Sequence, residues 1–312
     1  MYTFCTITVV SPSEEKAREA IEAGFTRIKR IEQLLNFFSS ESEITAINRA
    51  SGGRPVKVSQ ETLKAIKMAV EIADYTDGAF DPTIAPVIRL WGFSGKSQES
   101  SIPSADKIKN ALRFVDYRKI KINMSVSEVF LEKKGMELDL GGIAKGYAAD
   151  MAIEAIKAKG VKAALVAIAG DIKGFGLKPD LKPWRVGIQN PRLLDDKSEG
   201  GEEDIFASLR LKDKAISTSG DYQRFFMKEG KRYHHILDPR KGYSASDVIS
   251  VSVIAPDGYM ADGLSTGIFV LGRERGIKLL ESMGFSGIIV DSNEEIFITK
   301  DLEGDADIEK TL

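Results

Sequence analysis

Cysteine, histidine and net charge are all scarce in this sequence, and each scarcity removes a class of protein. One cysteine, Cys5, in 312 residues excludes an intrachain disulfide and a thiolate-rich zinc site. It leaves the compartment open, because many exported proteins also lack disulfides. Lysine plus arginine (44) nearly cancels aspartate plus glutamate (46), and no basic tract is dense enough to track a phosphate backbone, so no nucleic-acid partner is expected. No apolar run approaches the length of a bilayer span. The opening MYTFCTITVV alternates like a strand, with neither the basic start nor the apolar stretch of an export signal. The chain therefore reads as soluble, and Cys5 as an ordinary strand residue rather than a lipid anchor. Internal repeats and flexible linkers are also missing.

What is present is a globular composition, 43% hydrophobic, enough to bury one large core over residues 1–312, as a single domain or two intimate lobes. Ser11, Pro12 and Glu14 supply an N-cap, a first-turn proline and a capping-box acid. They announce a helix whose apolar face is Ala17, Ile21, Phe25, Ile28, Ile31 and Leu35. A second helix is expected from Ser59 to Tyr75 with Leu63, Ile66, Val70 and Ala73 inward, and a third from near Ser104. Strand patterns lie at 120–123, 129–131, 163–168, 186–189 and 248–254, with hairpin signals at Lys228–Gly230 and Ser292–Glu294. Helices and strands mix without a regular βαβ alternation, which favours an α+β fold. The acidic stretch from Asp195 to Asp204 reads as a solvated loop.

Four polar, glycine-bearing segments interrupt this scaffold. In LDLGGIAKGYAAD, Asp139 stands at an expected strand end, followed by Gly141 and Gly142 and a helix from near Ile143. Unpaired amides at such a start form an anion pocket, and Lys145 in the first turn is easier to explain if an anion is near. A tight turn with a solvated lysine is the plainer alternative. In ADGLSTGIFVLG, a helix over 259–271 puts Asp262, Ser265 and Thr266 at i, i+3 and i+4 on one face. Oxygen donors of this kind suit magnesium, although a dipole-favouring aspartate with back-bonded hydroxyls gives the same pattern.

His234 and His235 are the only histidines. They lie on the second arm of the Glu229–Gly230 hairpin, where alternation lets only one of them face a site and move a hydroxyl proton. ISTSGDY either wraps a cofactor or caps a turn through Ser219 and Asp221. GAFDPT pairs Phe80 with Asp81, a grip for a nucleobase or simply a turn.

In their order and spacing SEITAIN, GAFDPTIAPVIRLWGF, DLGGIAKGYAAD, AGDI, ISTSGDY, HHILDP and ADGLSTGIFVLG resemble the ApbE family of FAD:protein FMN transferases, over essentially the whole chain. The resemblance implies an α+β fold of two intertwined lobes with FAD between them. It implies FAD contacts at Met1, Phe38, Ala79, Phe80, Asp81, Asp139, Lys145 and the backbone of Leu237. A magnesium ion would be held by the Gly142 carbonyl, Asp262, Ser265 and Thr266, and His235 would activate a threonine of an acceptor protein, with AMP released. The expected acceptor is a membrane electron-transport subunit, and the expected location the extracytoplasmic face of a bacterial membrane. Phe38, Ser265 and Ala169 stand where many members have tyrosine, aspartate and glycine. An FAD pyrophosphatase and a non-catalytic flavin carrier are the competing functions.

Overall fold

The computed structural model describes residues 3–93, 101–192, 204–302 and 306–308. Met1 and most of the acidic stretch after Asp195 lie outside the described residues.

The first strand, β1 (Cys5–Val10), leads into α1 (Glu14–Leu35). Its cap is Ser13, whose hydroxyl accepts the Lys16 amide at 3.3 Å, while the Ser11 hydroxyl bonds the Ser13 carbonyl and amide instead of the helix. The expected cap at Ser11 is therefore two residues early: Ser13 has the extended backbone a cap requires, and the acids Glu14 and Glu15 then fall in the first turn. The buried seam is Ala20, Gly24, Ile28, Ile31, Leu34 and Leu35. Phe25, expected inside, is 42% exposed. Gly24 decides the rotation, since a Cβ there would lie 2.8 Å from Ile7 and 3.0 Å from Ile156. A glycine lets the helix approach this closely without displacing those isoleucine methyls, and the face next to it turns inward.

The chain continues through α2 (Glu43–Arg49), β2 (Val56–Lys57), α3 (Gln60–Tyr75), α4 (Ala85–Leu90) and α5 (Ala105–Leu112). Ser59 caps α3 and Ser104 precedes α5, as their sequences predict; Leu63, Ile66 and Ala73 are buried, while Ala69 takes the inner position expected of Val70. After β3 (Ile120–Asn123), β4 (Glu128–Leu131) and α6 (Ala144–Ala158) come β5 (Ala163–Ile168), β6 (Asp171–Phe175), β7 (Trp184–Gln189), β8 (Ile205–Leu211) and β9 (Ala215–Gly220). The hairpin β10 (Phe225–Lys228) and β11 (Lys231–His234) follows. The chain ends in β12 (Val248–Ala255), α7 (Gly258–Leu271), α8 (Arg273–Met283), β13 (Ser286–Asp291), β14 (Ile296–Ile298) and β15 (Ala306–Ile308).

The central sheet has seven antiparallel strands in the order β1-β5-β6-β9-β12-β13-β14. All eight residues of β12 are buried, because the sheet is covered on both faces. Val251 and Val253 belong to the core shared with α6 and α7, whereas Ile249 and Ile254 pack with the small β15-β8-β7 sheet. A third cluster sits under the hairpin, where the fully buried Trp91 donates its indole N–H to the Gly242 carbonyl at 2.9 Å and stacks on Tyr233. The hairpin turns at Glu229 and Gly230 with φ of 52° and 74°, the paired positive values of a two-residue type I′ turn. Mixed helices and antiparallel sheets make this an α+β fold. Among the described residues no helix is long and apolar enough to cross a membrane.

Candidate active site

A cavity of about 490 Å³ opens between the C-terminal end of α1, the start of α6, the end of β9 in the central sheet and the base of the β10–β11 hairpin. That volume lies within the range of small-molecule sites, roughly 300–1,000 Å³. One end is apolar, walled by Ile31, Leu35, Phe37, Ile84, Ile88 and Phe93. Of the residues the family resemblance implies for FAD, Phe38, Ala79, Phe80, Asp81, Asp139, Lys145 and Leu237 all line this one cavity. Phe38 stands edge-on to Phe37 and is 63% exposed, a large aromatic ring with much of its area free.

The turn before α4 commits Asp81 to its own backbone. One carboxylate oxygen accepts the Thr83 amide at 2.8 Å and its hydroxyl at 2.6 Å, and the other accepts the Tyr117 amide at 3.1 Å. Burial nevertheless holds its pKa above the usual carboxylate range. Phe80 is fixed by packing. A Cβ at Gly142 would come within 2.9 Å of its ring and 3.5 Å of the Thr266 hydroxyl, so Gly142 joins the start of α6 to both Phe80 and α7.

Asp139 lies in an extended segment with one isolated bridge nearby, Ile84 to Glu137, rather than at the end of a strand. Its carboxylate accepts the Gly141 amide at 2.8 Å, and burial raises its pKa. The first turn of α6 is served in the same way from α7, because Asp262 accepts the Gly146 amide at 3.0 Å. Two of the amides expected to face an anion thus already hold the protein's own carboxylates.

At the polar end, Lys145 is not a solvated lysine. Its ammonium pairs with Asp171 and lies 3.5 Å from Asp262, both carboxylates being almost fully buried. Burial alone would lower the lysine pKa, but the two acids overcome it and hold the group protonated. Asp262 is pushed well above the usual carboxylate range, first by burial and then by Asp171, against the pull of Lys145. Two carboxylates facing one ammonium leave this pocket short of positive charge.

Hydroxyls complete the cluster. Ser217 bonds Asp171, and Ser219 lies 2.8 Å from the Ser265 hydroxyl and 3.2 Å from that of Thr266. The first five residues of ISTSGDY therefore lie in the central strand β9, whose alternation points Ser217 and Ser219 at α7 rather than into a turn cap, while Thr218 and Ser219 also line the cavity. Asp221 bonds Arg192 and Arg232 instead. Ser265 is wholly buried and donates to the Asp262 carbonyl at 2.8 Å, whereas Thr266 reaches the cavity. Among the described residues no three His, Cys, Asp or Glu side chains converge on a metal position. Any ion here would draw on one carboxylate, hydroxyls and a carbonyl, the donors of a hard cation rather than of zinc.

The two histidines part as alternation requires. His234 is buried, with Nε2 2.7 Å from the Ala245 carbonyl and its ring edge-on to Phe269. His235 lines the cavity with Nδ1 3.3 Å from the Arg224 carbonyl. A carbonyl only accepts, so the proton sits on Nδ1 and the Nε2 lone pair is free. Burial, then Arg224, lower its pKa to about 3, so the ring is neutral.

Sequence reasoning did not single out Asp171, Ser217 or Arg224, and it named Ser219 without its partners Ser265 and Thr266. Asp171 was legible only as the acid of AGDI, directly after the two-residue turn in which Ala169 has φ 54°. The two serines follow from placing ISTSGDY on a strand.

Residues 1–289 match the model of the ApbE family. A protein from Treponema pallidum called FAD:protein FMN transferase is 35% identical, covering 92% of this chain and 80% of its own. One of the same name from Klebsiella pneumoniae is 34% identical over 96% and 92%. Among solved structures, the ApbE protein of Thermotoga maritima superposes with a TM-score of 0.88 at 36% identity, covering 96% of this chain and 95% of that one. The Pseudomonas stutzeri flavinyl transferase ApbE, in its apo form, gives 0.83 at 29% identity, covering 96% and 92%.

Proposed function

The chain belongs to the ApbE family, and from that premise we propose that it binds FAD, transfers the FMN half to a threonine hydroxyl of a partner protein and releases AMP, with magnesium as the required ion. It is a transferase, and its relatives' shared name identifies FAD as substrate and a protein as acceptor. The observation that carries the finer reading is the joining, in one cavity, of an apolar end, an oxygen-rich cluster short of positive charge, and a neutral histidine with a free Nε2.

The residues fit magnesium. Asp262 and Thr266 reach the cavity, Ser265 stands behind them, and Gly142 lies against Thr266. Asp262, Ser265, Thr266 and the Gly142 carbonyl would hold the ion, leaving its other positions to water and phosphate. When bound, it supplies charge neutralisation at the non-bridging phosphate oxygens.

The protein's own groups do the rest. Apolar walls and the exposed Phe38 ring hold the flavin, and Lys145 presents a fixed positive charge beside the phosphates. Nε2 of His235 takes the threonine proton as the hydroxyl oxygen bonds to the phosphorus of the FMN half. The bond from that phosphorus to the bridging oxygen breaks, and AMP departs with the electron pair. A base already neutral needs no prior deprotonation.

The test incubates the chain with FAD, magnesium and a candidate acceptor subunit, followed by mass spectrometry of the acceptor and quantification of AMP. A threonine-linked FMN adduct with equimolar AMP is the expected result. Free FMN without adduct identifies a hydrolase, in which water has reached phosphorus, and unchanged FAD identifies a carrier.

A further inference from the structure

The wall that carries His235 also carries an arginine without an assigned task. Arg224 immediately precedes β10, and the hairpin register, with Phe225 opposite His234, sets Arg224 opposite His235. The His235 amide donates to the Arg224 carbonyl at 3.1 Å, and Nδ1 lies 3.3 Å from the same oxygen. The arginine therefore fixes both the strand position and the tautomer of that histidine. Arg224 lines the cavity, and among the described residues its guanidinium has no carboxylate partner. The neighbouring arginines differ: Arg192 and Arg232 close on Asp221, and Arg240 closes on Asp238.

The guanidinium's charge is felt on both sides of the cavity. It favours the charged form of Asp139 on the α6 side and disfavours protonation of His235 on its own. An unpaired guanidinium at that position offers a planar fork of donors to an anion inside the cavity, the geometry that suits phosphate oxygens.

We infer that Arg224 is a substrate-binding residue that grips the pyrophosphate of FAD from the hairpin side of the cavity, while its carbonyl positions His235. This rests on the function proposed above. The guanidinium acts on phosphate that Lys145 reaches less well, since Lys145 is already shared between Asp171 and Asp262. One residue thereby couples substrate binding to the orientation of the base. Its main chain does the second job in any variant, and its side chain the first.

The experiment compares wild type, Arg224→Ala and Arg224→Lys by flavin-fluorescence titration with FAD and with riboflavin, which carries the same ring system and no phosphate. Loss of a charge-assisted contact predicts FAD affinity about 10- to 100-fold weaker in Arg224→Ala, with part recovered in Arg224→Lys. Riboflavin affinity stays within about twofold, because the apolar end is untouched. Equal weakening of both flavins would assign the arginine a structural role and overturn the inference, as would unchanged FAD affinity. If wild type binds FAD and the alanine variant binds it equally well, only the inference falls; a wild-type chain that binds no FAD overturns both it and the proposed function.

Discussion

Replacing Lys145 by methionine tests the electrostatics on which the site depends. The side chain keeps its length and loses its charge, leaving Asp171 and Asp262 buried and facing each other. At the 3.5 Å separation of Lys145 and Asp262, a unit-charge pair in an effective dielectric of about 20 is worth roughly 5 kcal/mol. Breaking a buried pair typically costs about 3–5 kcal/mol. Because the lysine side chain is 31% exposed, water recovers part of this, and the lower end, about 3 kcal/mol, is the expected loss near pH 8. The loss depends on pH with a definite sign. Without the ammonium the two acids share a further raised pKa in the folded state, against about 3.9 unfolded, so the folded variant binds extra protons and is relatively favoured in acid. The stability missing at pH 8 should shrink by at least about 1 kcal/mol at pH 5. Urea unfolding of both proteins at the two pH values, in EDTA, measures it. A loss below about 1 kcal/mol, or one equal at both pH values, would refute the idea that this ammonium holds two buried carboxylates together.

Asp262→Ala should abolish magnesium-dependent turnover and also remove the stabilisation magnesium gives wild type, which thermal unfolding reads as a few degrees in Tm at saturating ion. A variant still stabilised by magnesium would remove Asp262 from the ion's shell. His235→Ala should lower the transfer rate by about 10²- to 10⁴-fold with FAD affinity retained. Since the wild-type ring titrates at about 3, below the ordinary histidine value, the base form is present throughout the range above it. The kcat/KM profile should therefore show no histidine limb near pH 6.5, and a limb there that disappears in the variant would contradict the assigned environment. Ala169→Gly should stabilise the fold by about 0.5–1 kcal/mol in urea unfolding, the left-handed strain relieved at φ 54° being partly offset by glycine's greater chain entropy.

The sequence by itself determined whatever depends on neighbours along the chain. The starts of α3 and α5, the strands at 120–123 and 163–168, the Glu229–Gly230 turn and the shared face of Asp262, Ser265 and Thr266 all follow from periods of 2 and 3.6 and from turn chemistry. The split between His234 and His235 followed from strand alternation alone. Tertiary structure decided what depends on distant approach. α1 presents Gly24 to Ile7 and Ile156, which pack within 2.8 and 3.0 Å of where a Cβ would sit, and Phe25 faces outward. Lys145 became a buried ion-pair centre because residues 26 and 117 positions away converge on it. Ser217 and Ser219 joined the site because β9 runs beneath α7. Local pattern fixes which face a side chain takes; only the packing of remote segments fixes what that face meets, and charge, burial and catalysis are properties of the meeting.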